Sequence, residues 1–202
     1  MTRLRGRLNT VDPLNLTQVI LAEGKNTNEK ISKAASQSRI LALTSIMAAL
    51  VAVATMIAIP MPPPLSTITF APIIIFIASI LLGPSAGLMC AAIGSGIGFM
   101  GGSSIGTIMV PSGYLYLFLL GIIIARGPMG FSVGLIRRKN EIVAMIVGVI
   151  AETLIFFTID TYLFGVAIAV LDFGTLADLV FVPATYAVLL AVRRILNITY
   201  LA

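Results

Sequence analysis

Residues 141–166 read EIVAMIVGVIAETLIFFTIDTYLFGV, an apolar run that after its leading Glu141 carries only Glu152 and Asp160 as charged residues. A helix needs roughly 20 such residues to cross a bilayer, so this stretch is long enough to span. Five further apolar stretches flank it, at Ile40–Ile59, Thr67–Leu82, Ala86–Met100, Gly113–Leu135 and Thr175–Val192. The second and third of the six are near or below spanning length and are expected to be short or irregular. Strong breakers separate them: Pro60, Pro62, Pro63 and Pro64, then Gly83-Pro84, a Gly/Ser/Thr/Pro mixture over Gly101–Gly113, the basic run Arg137-Arg138-Lys139 before Asn140, and Leu171–Gly174. The expected fold is an all-α membrane protein, a compact bundle of six transmembrane helices over residues 39–195.

Composition agrees. Of 202 residues 58% are hydrophobic and 10% charged, and the mean hydropathy is +1.07. A soluble domain of this length has no interior large enough to hide that surface, so lipid is the solvent for much of it. The net charge of +5 reports orientation in such a chain rather than a nucleic-acid partner, and none is expected. Cys90 is the only cysteine and there is no histidine, so neither a disulfide framework nor a metal site is expected. Gly94-Ser95-Gly96 superficially resembles a nucleophile turn, but no histidine exists to act as base and Ile93 stands where glycine is wanted. No phosphate-cradling loop occurs, so any ATP dependence comes from another subunit, and the chain is read as a non-enzyme without a cofactor.

The basic residues set the orientation. Arg3, Arg5 and Arg7 open a polar tail over residues 1–38, whose apolar patch Leu14–Leu21 reads as a short surface helix or as part of a disordered tail. If this tail is cytoplasmic, six crossings return residues 196–202 to the same side. Every Lys and Arg except Arg126 then lies at or near the cytoplasmic face, as the positive-inside rule requires of a protein in the cell membrane.

Two groups of residues invite a functional reading. The first span carries Thr44, Ala48 and Ala52 at four-residue spacing, beside Ser45 and Ala49. Such a stripe lets another helix approach closely, either a partner's or one of this chain's own. The second group is ionisable: Arg126, Glu152, Asp160 and Asp178 lie within or near spans, where each costs at least about 2–3 kcal/mol at mid-membrane unless paired or hydrated. Arg126 precedes Arg137 by the same number of residues as Glu152 follows Glu141, so both sit about 16 Å from one boundary and are placed to pair across antiparallel helices. That pair reads either as a structural salt bridge or as the polar floor of a cavity. Glu152, Phe156 and Asp160 share a helix face. Asp160 and Asp178, nearer the outer end with Tyr114 and Tyr162, would suit a polar or cationic heteroaromatic solute, although Asp178 also reads as a first-turn acid facing the helix dipole.

The order of features resembles the substrate-binding, or S, components of energy-coupling factor (ECF) vitamin importers. The likeness rests on the arginine-led span Arg39–Ala58 with its small residues, the Pro60–Pro64 turn, the apolar Phe70–Leu82 run, and the break Gly83-Pro84-Ser85-Ala86-Gly87 before a glycine-rich helix. The resemblance implies capture of a vitamin or related small solute from outside. It implies docking through Ala48 and Ala52 on a transmembrane coupling subunit, itself driven by two ATPase subunits, and a site formed by outer loops and spans four to six. Around Pro111–Tyr114 the chain is similar to the biotin-specific branch, whereas the lack of histidine speaks against the nickel and cobalt branches and the lack of tryptophan leaves a thiamine site without an indole platform. From the residues alone, a non-transporting scaffold and an autonomous small permease stand as alternatives.

With Cys90 replaced, single cysteines at Ser66, Ser104 and Asp172 should react with an impermeant thiol reagent from outside the cell. Labelling of these sites only from the cytoplasmic side would reverse the orientation.

Overall fold

The structure, a computed structural model, describes residues 13–59, 68–108, 110 and 112–196. The expectations for the extreme ends of the chain, the Pro60–Pro64 turn and Pro111 lie outside these residues. The chain divides into two units, Met1–Arg39 and Ile40–Ala202. The described part of the first unit is helical.

Helix α1 (Pro13–Met56) carries the first candidate span, Ala34–Met56. It is followed by a two-stranded antiparallel ribbon of β1 (Ala58–Ile59) and β2 (Ile68–Thr69), with Ala58 opposite Thr69. Then come α2 (Ala71–Leu82), α3 (Pro84–Ile105), a 3₁₀ turn at Ser112–Tyr114, α4 (Leu115–Ile136) and α5 (Glu141–Phe164). A four-residue α6 (Val166–Ala169) and a 3₁₀ stretch, Leu171–Val180, lead into α7 (Phe181–Leu196). Five helical segments are long and apolar enough to cross a membrane, and α2, with 12 residues, is a shorter apolar helix. At about 1.5 Å per residue α2 is about 18 Å long and cannot span alone.

The boundaries have local causes. Asn140 caps α5, its side-chain oxygen accepting from the Ile142 and Val143 amides at 3.0 and 3.2 Å. Gly165, at φ 86°, ends it. In contrast to the flexible connection expected from Gly101, α3 runs on through Gly101 and Gly102 to Ile105. The Ser104 hydroxyl bonds back to the Met100 carbonyl at 2.8 Å, and the helix stops only where Gly106, at φ 78°, supplies a left-handed cap. Glycine inside a membrane helix is tolerated because packing replaces the stability that propensity withholds. The last crossing likewise starts as 3₁₀ and becomes α-helical at Phe181, with Pro183 in the first turn, where its missing amide costs nothing.

Close backbone approach holds α3 to its neighbours. A Cβ on Gly130 of α4 would lie 2.4 Å from the Gly87 carbonyl oxygen, and one on Gly87 would lie 2.6 Å from the Gly130 oxygen. On the other flank, Cβ atoms on Gly94 and Gly98 would each lie 2.5 Å from a carbonyl of α1, those of Ala48 and Ala52. Between the helices sit Ile75, Phe76, Ile80, Met129, Val133, Met145, Val149 and Leu189, all fully buried. Here hydrophobicity separates nothing from lipid, so helix association rests on this contact density.

One boundary is tied by charge. Arg137, in the basic run that marks the boundary before α5, is buried: its guanidinium lies over Gly83 and donates to the Ile80 carbonyl at 2.8 Å, satisfying the C-terminal end of α2. Arg193 of α7 makes a two-pronged ion pair with Glu141 at the start of α5.

Gly130→Val should lower the melting temperature by many degrees, an overpacking cost of about 1–3 kcal/mol or more because backbone, not a movable side chain, is in the way. Gly127→Ala, whose Cβ would meet the Ala92 methyl at 3.6 Å, should change it little. Thermal unfolding in detergent compares the two.

Candidate functional site

The Gly98 contact that pulls α1 onto α3 also places Thr55: a Cβ on Gly98 would lie 2.5 Å from the Thr55 Cβ. Thr55 donates to the Val51 carbonyl at 2.8 Å, which turns its oxygen lone pairs inward. Toward it reaches Arg126 from α4, two residues before Pro128.

Arg126 is buried and bound on several sides. Its Nε donates to Glu152 Oε1 on α5 at 3.2 Å, Nη1 donates to Ser95 Oγ on α3 at 3.2 Å and to Thr55 Oγ1 on α1 at 3.5 Å, and Nη2 donates to Thr69 Oγ1 on β2 at 2.9 Å. Side chains from four other elements thus meet on this one guanidinium of α4. The pairing expected from equal depth is present. Glu152 is 1% exposed, and its second oxygen, Oε2, is buried with no hydrogen-bond partner among the described residues.

The other expected residues divide. Asp178, on the 3₁₀ stretch, is buried and within electrostatic reach of both Glu152 and Arg126. The same stretch is tied to α5 by Thr175 Oγ1 donating to Thr153 Oγ1 at 3.0 Å, so the first-turn acid of the sequence reading faces the bundle interior. Asp160 is buried on α5, two turns beyond Glu152. Tyr114 is partly exposed and packs on Phe164, their ring centroids 5.7 Å apart, and Phe118 stacks on the same ring at 5.8 Å. Tyr162 is 89% exposed and is not brought to the acids. Ala52 is buried and Ala48 half-buried, their carbonyls covered by the α3 glycines, while the exposed small residues within 40–56 are Ala42, Ser45 and Ala49.

Thr55, Thr69 and Thr153 were not singled out by the sequence, and Ser95 was noticed only for a turn that it does not form, since it lies inside α3. Thr55 had one available signal. It lies three residues beyond Ala52, on the helix face that Thr44, Ala48 and Ala52 share.

Chemically, the cluster is an acceptor-rich polar centre within an apolar bundle, with one cation beside two carboxylates. Among the described residues it holds no nucleophile paired with a base, and a few fixed polar groups among apolar side chains are what a solute site requires.

A family model described as "ECF-type riboflavin transporter, S component" matches residues 36–196. No curated protein and no solved structure matches the chain.

Removing Arg126 alone strands Glu152, and removing Glu152 alone strands Arg126; either should destabilise by about 3–5 kcal/mol. The pair Arg126→Ala/Glu152→Ala should be less destabilised than the sum, with a coupling of about 1–3 kcal/mol. Melting temperatures of the four proteins in detergent complete the cycle, and strict additivity would remove the pairing from the account.

Proposed function

The chain belongs to the S-component family of ECF-type riboflavin transporters, matched over residues 36–196, and from this premise we propose that it captures riboflavin outside the cell membrane for an ATP-driven importer. The family match is the observation that carries the reading. A multi-pass membrane subunit of this family binds a vitamin-type solute and is not an enzyme. The finer assignment to riboflavin follows the family's description, and its chemistry suits the buried centre: a planar heteroaromatic ring needs apolar and aromatic walls plus a few fixed polar groups. Arg126, Glu152 and Asp178 supply the polar groups, and Asp160 and Tyr114 lie toward the end of the bundle from which the solute enters.

The partners that the family reading implies are a transmembrane coupling subunit and two ATPase subunits, in keeping with a sequence that carries no phosphate-cradling loop. Docking uses the small residues of the first span. Ala48 and Ala52 set its α3 side, and the exposed Ala42, Ser45 and Ala49 offer the face on which a partner helix can approach closely.

Riboflavin fluorescence should be quenched on titration with the detergent-purified chain, and uptake into cells should require the coupling and ATPase subunits. A chain that transports alone is a permease, and one that binds no solute is a scaffold. Ala49→Trp should leave binding within about twofold while abolishing copurification of the coupling subunit, because it adds bulk only to an exposed helix face.

A further inference from the structure

An arginine has five N–H donors. Within the described residues four of those on Arg126 are committed: Nε to Glu152, both of Nη1 to Ser95 and Thr55, and one of Nη2 to Thr69. Glu152 has spent Oε1 on this arginine and has nothing on Oε2, although the residue is 1% exposed. No donor among the described residues reaches Oε2, and three neighbouring hydroxyls are spent elsewhere, Thr55 donating to the Val51 carbonyl, Thr153 to the Val149 carbonyl and Thr175 to Thr153. A carboxylate oxygen shut away from water is expensive to leave unmatched. What remains open on this ion pair is one acceptor and one donor.

The geometry points to the Arg126–Glu152 pair as the reader of an imide edge, Glu152 Oε2 accepting the ring N–H of a planar heteroaromatic solute and the uncommitted Nη2–H of Arg126 donating to the carbonyl beside it. This rests on the riboflavin reading and adds the contact that orients the ring, since the pyrimidine end of the isoalloxazine system carries an N–H flanked by two carbonyls. A site whose buried polar groups are matched only by the correct edge rejects a ring lacking that N–H more strongly than an apolar pocket rejects an extra methyl. It also sends the polyhydroxylated tail away from Glu152, because an N–H donor satisfies the carboxylate while the ring stays among the apolar side chains.

The test compares riboflavin with N3-methylriboflavin on the full-length chain in detergent, by fluorescence quenching, for the wild type and Glu152→Gln. The wild type should bind the methylated ring at least about tenfold more weakly. In Glu152→Gln the Arg126 Nε–H holds the amide carbonyl, so the amide NH₂ faces the solute, donor against donor. Riboflavin affinity should fall about tenfold or more, and the preference over the methylated ring should vanish. Equal binding of the two rings by the wild type overturns the inference without a variant. A Glu152→Gln protein that melts like the wild type yet keeps the preference overturns it too. Wild-type protein that binds neither ring overturns the riboflavin reading itself and this inference with it, a result distinct from equal, tight binding of both.

Discussion

A guanidinium in the middle of a membrane protein has to be matched on nearly every side, and Arg126 imposes that requirement on the rest of this bundle. Its partners come from α1, β2, α3, α4's antiparallel neighbour α5, and, at longer electrostatic range, the 3₁₀ stretch that carries Asp178. The pair with Glu152 is weak evidence for stability, since a well-packed apolar substitute for both can be as stable. Its effect is on specificity of structure. Any rotation of one of these helices that keeps the apolar packing but moves a hydroxyl leaves a buried cation short of acceptors.

The glycines of α3 serve that arrangement. Thr55 and Ser95 reach the same Nη1 only because α1 and α3 run with almost no side-chain volume between them. At Gly98 even a methyl would collide with Thr55 itself. The contacts of Gly87 with Gly130 do the same for α3 and α4, which fixes the height of Arg126 against Ser95. In a soluble protein such glycines would weaken a helix by about 1 kcal/mol each relative to alanine. In lipid they let the helices come close enough for short side chains to solvate a charge.

Distance along a helix was legible in the sequence, and what crosses between helices mostly was not. Counting residues from the Arg137 and Glu141 boundaries put Arg126 and Glu152 at one depth, because rise per residue is constant, and the ion pair is there. The spans were legible for the same reason. Thr69 was not: its contact with Arg126 depends on a ribbon of two-residue strands, too short to carry any periodicity. Tyr162 was grouped with Asp160 by height alone, yet two residues on a helix are about 200° apart, so one faces the bundle and the other away. Arg137 was legible only as a boundary residue because the end of α2 that it covers is distant in sequence.

The two ends of the bundle are held differently, and the difference bears on where a solute can enter. At one end Arg137 covers the last carbonyls of α2 and Arg193 grips Glu141 with both prongs, contacts that are directional and charge-assisted. At the other end the contacts are between rings: Phe70 with Phe181 at 5.7 Å, and Tyr114 and Phe118 with Phe164. Aromatic pairs of this kind contribute about 0.5–1.5 kcal/mol beyond their burial and tolerate several geometries. The irregular backbone from Gly165 to Val180 lies toward this ring-held end and packs on α5 beside Glu152. A ring-shaped solute entering there exchanges aromatic neighbours for itself, whereas entry from the other end would break charge-assisted bonds and replace them with nothing. Under the proposed function, the gradient from charged clamps to exchangeable rings favours access to the polar centre from the ring-held end, and it is set by the same residues that build the fold.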